Sequence, residues 1–181
     1  DTQVFRRGKS VVGLDLGSQS VKAVEITMDG GDPVLTGFAM VEMPPGGERA
    51  NAIAKAFDQG RFRTKRVVTS VSGQSVVVRY ISMVKMSDSE LQQAIRFESD
   101  KYLPFDADEV ILDCQRLTRP PAGGEGENEQ MNVVLAACRR SVVEEQMTEV
   151  TGRGLSPIAV DIDVFALANA YEASGLALTD E

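Results

Sequence analysis

Apolar residues crowd Val11–Leu16, stop at Gly17-Ser18-Gln19-Ser20, and resume in alternation with polar ones over Val21–Met28. A third run, Val34–Glu42, follows Gly30-Gly31. This pattern predicts three consecutive strands joined by short turns. Pro44-Pro45-Gly46-Gly47 reads as a loop. Arg49–Gln59 predicts a helix that carries Ala52, Ile53, Ala56 and Phe57 on one face, with Gly60 as its stop. Arg66–Val71 predicts a buried strand ended by Ser72-Gly73.

The pattern then changes. Val76–Ser82 predicts a strand, and Ser87-Asp88-Ser89-Glu90 has the spacing of a capping box. The helix it opens is expected to run to about Leu103, where Pro104 stops it. Val110–Leu117 and Val133–Cys138 predict strands on either side of a polar hairpin loop, Thr118–Gln130. Ser141–Glu144 reads as a second capping box, opening a helix that ends at Gly152-Arg153-Gly154. These elements form a β-α-β-β-α block. Ile158–Ile162 predicts a further strand and Val164–Ser174 a helix, whose Ala166, Ala168 and Ala170 suit close contact with another helix. The fold class is α/β.

Composition narrows the chemistry. A chain of 181 residues can bury a proper core, as one domain or two small ones. Its net charge of −8 argues against a nucleic-acid binder, which shows a basic patch. No run approaches the length of a membrane span. Cys114 and Cys138 fall inside predicted strands and read as buried thiols of a cytosolic protein. There is no histidine, which makes triad hydrolases and zinc enzymes poor candidates.

The break at Gly17-Ser18-Gln19-Ser20 carries the best candidate chemistry. A strand–turn–strand with small polar residues at its tip gathers backbone N–H groups in a tight concavity that suits phosphate oxygens. Asp15, at the end of the first strand, can hold a phosphate-bound Mg²⁺ directly or through water. On spacing alone the same segment reads equally as an ordinary hairpin with a Gly-Ser turn, and Asp15 as a turn-capping carboxylate.

A resemblance changes that balance. Asp15-Leu-Gly-Ser-Gln-Ser-Val-Lys22 resembles the first phosphate motif of the actin-like ATPase superfamily. Within it, the chain is similar to the PilM family of type IV pilus assembly proteins. The stretches that fit, in order, are Arg63–Gly73, Ser89–Phe105, Val133–Arg139 and Val160–Leu167. The segment ending in Tyr102-Leu103-Pro104-Phe105 and the run Val160-Asp-Ile-Asp-Val-Phe-Ala166 are the more family-specific.

The resemblance implies an actin-like, ribonuclease H-like subdomain 1A with an inserted 1C subdomain. The implied boundaries are a tail over 1–10, subdomain 1A over 11–74, subdomain 1C over 75–157, and a return strand and connecting helix over 158–181. It implies ATP and Mg²⁺ as ligands of the full-length protein, with Gly17, Ser18, Gln19, Ser20 and Lys22 toward phosphate and Asp15 toward the metal. Lys22 otherwise reads as a solvated strand residue. Asp163 is a weak catalytic candidate facing the nucleotide water; the plain alternative for Asp161 and Asp163 is helix capping.

The implied partner is the short N-terminal cytoplasmic peptide of a PilN-like inner-membrane protein. The implied place is the cytoplasmic side of that membrane, with at most weak ATPase activity. A groove beside Tyr102–Phe105 is expected to take an extended apolar peptide; otherwise these side chains only close a core. The basic, apolar Val4–Lys9 could touch an anionic leaflet or be a disordered tail. The second half of the superfamily fold supplies another phosphate loop and the adenosine pocket, and neither motif occurs here. The chain is therefore expected to be the first half of a longer protein, with a naturally short, degenerate relative as the alternative, and to have negligible ATP affinity on its own. Two other readings stand beside this one: an FtsA-like filament former, and a small-molecule kinase of the same superfamily. The kinase is disfavoured by the inserted block.

Overall fold

The computed structural model describes residues 10–98, 101–117 and 130–175. The tail Val4–Lys9, most of the Thr118–Gln130 loop and the segment after Gly175 lie outside the described residues. The chain divides into two compact units, one running to Ser72 and resuming at Glu145, the other Gly73–Glu144.

The first unit is built on a five-stranded sheet. Its strands are β1 (Ser10–Leu16), β2 (Ser20–Asp29), β3 (Asp32–Glu42), β4 (Arg66–Val71) and β8 (Ser156–Ile162). The spatial order is β3-β2-β1-β4-β8. β1, β2 and β3 pair antiparallel, while β4 is parallel to both β1 and β8. The β2–β3 turn pairs Asp29 with Asp32 across Gly30 and Gly31, whose φ values are +61° and +110°. Two successive positive φ values make the tight turn that matches strand twist, which explains the two glycines.

Period-2 alternation sends Val12, Leu14, Val21, Ala23, Ala39 and Val41 to one face. Helix α1 (Arg49–Gly60) covers that face with Ala52, Ile53 and Ala56, all buried as the pattern predicts. Helix α3 (Arg140–Thr151) adds Val150 to the same core, and Leu155 follows it. From Glu145 onward α3 therefore groups with the first unit, where Val150 and Leu155 join the core. Buried Gln146 donates to Thr69 Oγ1 at 2.8 Å and to the Ser70 carbonyl at 3.0 Å, and Arg49 pairs with Glu149 at 2.8 Å.

Glu25 is the one charged side chain buried in this sheet among the described residues, at 1% exposure. Its Oε1 accepts the Arg63 N–H at 2.7 Å, and its Oε2 accepts the Thr36 hydroxyl at 2.9 Å. The register slips here, so that Glu25 faces Gly37 and Ile26 faces Leu35. The extra residue, Thr36, turns its hydroxyl toward the carboxylate, which is the kind of re-aiming that a bulge permits.

The second unit is a three-stranded antiparallel sheet in the order β5-β7-β6. Its strands are β5 (Val76–Val84), β6 (Val110–Arg116) and β7 (Gln130–Arg139). Helix α2 (Asp88–Glu98) covers one face with Leu91 and Ile95, which pack with Leu103, Val110, Met131, Val133 and Leu135. The expected block order is thus present. Ser87 and Glu90 form the predicted capping box: Glu90 Oε2 accepts the Ser87 N–H at 2.7 Å, and the Glu90 N–H donates to Ser87 Oγ. The helix is described to Glu98, and its expected continuation crosses residues 99–100, outside the described part. The second expected box differs. β7 runs directly into α3 at Arg140, so Ser141 already lies inside the helix.

Helix α4 (Asp163–Ala173) buries none of its side chains. Val164, Leu167 and Tyr171 form an exposed apolar stripe, and Ala166, Ala168 and Ala170 are exposed as well.

Gly60 is the last residue of α1 rather than its left-handed stop. A Cβ there would meet the Phe62 ring at 2.2 Å, and the left-handed position falls to Arg61 at φ +46°. The expected pair of effects is opposite in sign. Gly60→Ala should destabilise by about 1–3 kcal/mol through overpacking. Arg61→Gly should be neutral or stabilise by up to about 1 kcal/mol through relief of the left-handed backbone. Urea unfolding of both variants checks this.

The Glu90 carboxyl is held below its ordinary value of 4.5 by the Ser87 hydroxyl and then by the Ser87 N–H. A lowered carboxyl stabilises the fold above its unfolded pKa, and the gain is lost as pH falls through the folded value. The melting-temperature gap between the wild type and Ser87→Ala should accordingly be full near neutrality and close as the pH drops below 4.5.

Candidate functional site

The predicted phosphate loop is a hairpin tip. Leu16 pairs with Val21, so Gly17, Ser18, Gln19 and Ser20 make the reversal. The tip is tied down from outside, because the Met43 N–H donates to the Gln19 carbonyl at 2.8 Å. Ser18 and Gln19 are exposed. Gly17 is required by space: a Cβ would sit 2.8 Å from the Ser20 carbonyl oxygen. The loop is thus a close backbone approach, and glycine is the residue that leaves room for it.

Asp15 and Lys22 are direct cross-strand partners, with Nζ and Oδ2 2.7 Å apart. Both side chains are about half exposed, at 52% and 45%, so the pair contributes little stability. Its consequence is chemical. One cation and one carboxylate stand together beside the loop, the cation suited to phosphate oxygens and the carboxylate to a metal that phosphate brings. Among the described residues no group of three or more metal-ligating side chains exists.

Asp163 lies in the first turn of α4, where its Oδ1 accepts the Val164 N–H at 2.8 Å. The Asp161 Oδ1 accepts the Ile162 N–H at 2.7 Å. Both aspartates therefore have a local hydrogen-bonding role. The sheet still brings this region to the end where the loop sits, because β1, β4 and β8 are parallel and finish on the same side. Leu14 pairs with Thr69 and Ser70 with Asp161, so Asp161 follows Asp15 in register more closely than Asp163 does. Two strand spacings, about 10 Å, separate β1 from β8. Carboxyl ends of parallel strands are where ligands bind in open α/β sheets.

A second candidate lies within the second unit. Leu103, Pro104, Phe105, Asp106 and Glu109, from the α2–β6 connection, line a cleft of about 300 Å³ with Arg139 at the end of β7. Phe105 and Tyr102 pack against the core, so the core-closing role expected of them is real. Phe105 also faces the cleft, under the Arg139 guanidinium at 4.6 Å. Three of the six lining residues are charged, which departs from the apolar groove expected. Arg139 and Arg140 read from sequence as a short solvated pair. In the fold Arg140 donates to the Asp108 and Val110 carbonyls, and only Arg139 turns to the cleft.

Both cysteines are free. Burial raises the thiol pKa of each, and the Asp113 and Asp88 charges add to the effect at Cys114. Neither is placed as a nucleophile.

Comparison with known proteins decides the family. Residues 13–181 match the family described as type IV pilus assembly protein PilM. The chain belongs to the PilM family. It is similar to the solved PilM–PilN type IV pilus biogenesis complex at 33% identity and a TM-score of 0.76, over 91% of this chain and 50% of that one. The chain thus spans about half the length of the PilM it matches. The cytoplasmic domain of EpsL, an inner membrane component of the type II secretion system of Vibrio cholerae, is 15% identical with a TM-score of 0.56. That match covers 87% of this chain and 59% of that one, and it shows likeness of fold alone. The fold is actin-like, as the motif implied.

Gly17 tests the loop. In the full-length protein, Gly17→Val must push the Ser20 carbonyl aside. If the loop holds the phosphates of a nucleotide, affinity for it should fall at least tenfold, about 1.4 kcal/mol. Calorimetric titration with ATP checks it, and unchanged affinity in a folded variant would remove the loop from the phosphate site.

Proposed function

We propose that this chain is the N-terminal portion of a PilM scaffold that docks the short cytoplasmic tail of a PilN-like inner-membrane protein. The observation that carries this reading is the 33% identity, over 91% of the chain, to the PilM of the PilM–PilN complex. Identity at that level over nearly the whole chain supports a shared partner as well as a shared fold. A protein of this kind works at the cytoplasmic face of the inner membrane through its partner. Among the described residues no helix is long and apolar enough to cross a membrane.

In the full-length protein the hairpin tip, Lys22 and Asp15 would hold the phosphates of ATP and their Mg²⁺. The bound nucleotide acts as a conformational ligand, favouring one arrangement of the protein for partners to read. Much of a nucleotide's binding energy comes from burying its base and enclosing its phosphates. A half-exposed hairpin tip supplies neither, so this chain alone should bind ATP negligibly.

The tail docks, on this reading, in the Leu103–Arg139 cleft. Phe105→Ala in the full-length protein should weaken binding of the PilN tail by roughly tenfold or more, as loss of an aromatic anchor does. Fluorescence anisotropy with a labelled tail measures the affinity, and thermal unfolding of the same sample measures stability. Lower stability with unchanged affinity would confine Phe105 to its core-closing role.

A further inference from the structure

The two arginines at the end of β7 are treated differently by the fold. Arg140 is consumed: its Nε and Nη2 donate to the carbonyls of Asp108 and Val110. Arg139 is offered. Its guanidinium lies over the Phe105 ring, and an aromatic face holds a cation without occupying its N–H donors. Asp106 and Glu109 line the same cleft and, like Arg139, are exposed. None of the three forms an ion pair with another described residue. Charges of both signs thus line one cleft of about 300 Å³ with no ion pair within 4.0 Å between them. A space near the lower limit for ligand pockets takes a few side chains of an extended segment, not a folded surface.

We propose that the cleft selects its peptide by charge. Asp106 and Glu109 take a lysine or arginine of the docking tail. Arg139 donates to the tail's main-chain carbonyls, while an apolar side chain of the tail lies on Leu103 and Phe105. This rests on the docking reading above and adds the basic residue that the tail must carry. The chain's net charge of −8 favours approach of such a tail.

The test is anisotropy with full-length protein and a labelled PilN cytoplasmic tail from the same organism, at low and high NaCl. Arg139→Gln and the double variant Asp106→Asn/Glu109→Gln should each lower affinity at least tenfold, about 1.4 kcal/mol. Added salt should weaken the wild-type complex, because exposed charges are screened. A tail with its basic residues changed to glutamine should bind as weakly and be indifferent to the Asp106/Glu109 change, the signature of direct coupling. Circular dichroism confirms that each variant is folded, and Arg139→Met serves where Arg139→Gln is not. Tight wild-type binding that neither salt nor these variants alter overturns charge selection and leaves docking standing. A tail that binds tightly but has no lysine or arginine does the same. Failure of the wild type to bind the tail removes the docking reading, and the charge selection with it.

Discussion

Burial of Val12 and Leu14 in the core that α1 helps to close is the constraint on which the first unit depends. Strand geometry allows only one face of β1 to be buried in that core, so Asp15, one residue on, must face away from it. The chain must then reverse at once if β2 is to bring Val21 and Ala23 onto the same core face. That reversal is the Gly17–Ser20 tip. The same alternation puts Lys22 opposite Asp15. A loop with a cation and a carboxylate at its base follows from where the apolar side chains must go.

Attachment of β4 and β8 in parallel adds directionality. Three strands then end on one side, and a loop formed for steric reasons acquires neighbours that can contribute to a ligand site. The antiparallel β2–β3 side is held by a different device. Buried Glu25 draws the Arg63 backbone and the Thr36 hydroxyl together, and a buried carboxylate is tolerated only where such donors converge on it. Phe62 closes the same region by lying within contact range of Gly37 and Gly60, where any side chain would collide with its ring.

The second unit solves a simpler problem. Three strands and α2 enclose one core, and the chain between α2 and β6 must cross its end. Phe105 is spent partly on that core and partly on a cleft, so one aromatic closes the fold and receives Arg139 on its outer side. On the proposed docking, stability and recognition are coupled at this residue, unlike at Asp106 and Glu109, whose carboxylates are exposed.

The sequence by itself determined the elements, their order and the hairpin tip. Strand alternation, the Ser87–Glu90 box and the turn glycines act through neighbours within a few residues, and that information is local. The motif at Asp15–Lys22 also pointed to the actin-like superfamily, and the segments Tyr102–Phe105 and Val160–Ala166 to the PilM family within it. Only the tertiary structure decided four other things. It placed the end of α3 with the first core, because Val150 and Leu155 require burial that no local pattern specifies. It showed that Gly60 answers to a ring two residues away and not to helix termination. It set Asp161 nearer than Asp163 to Asp15 in register, since pairing between distant strands fixes that alignment. And it separated Arg139 from Arg140, adjacent in sequence and alike in charge, by giving one its carbonyl partners and the other a ring beside a cleft.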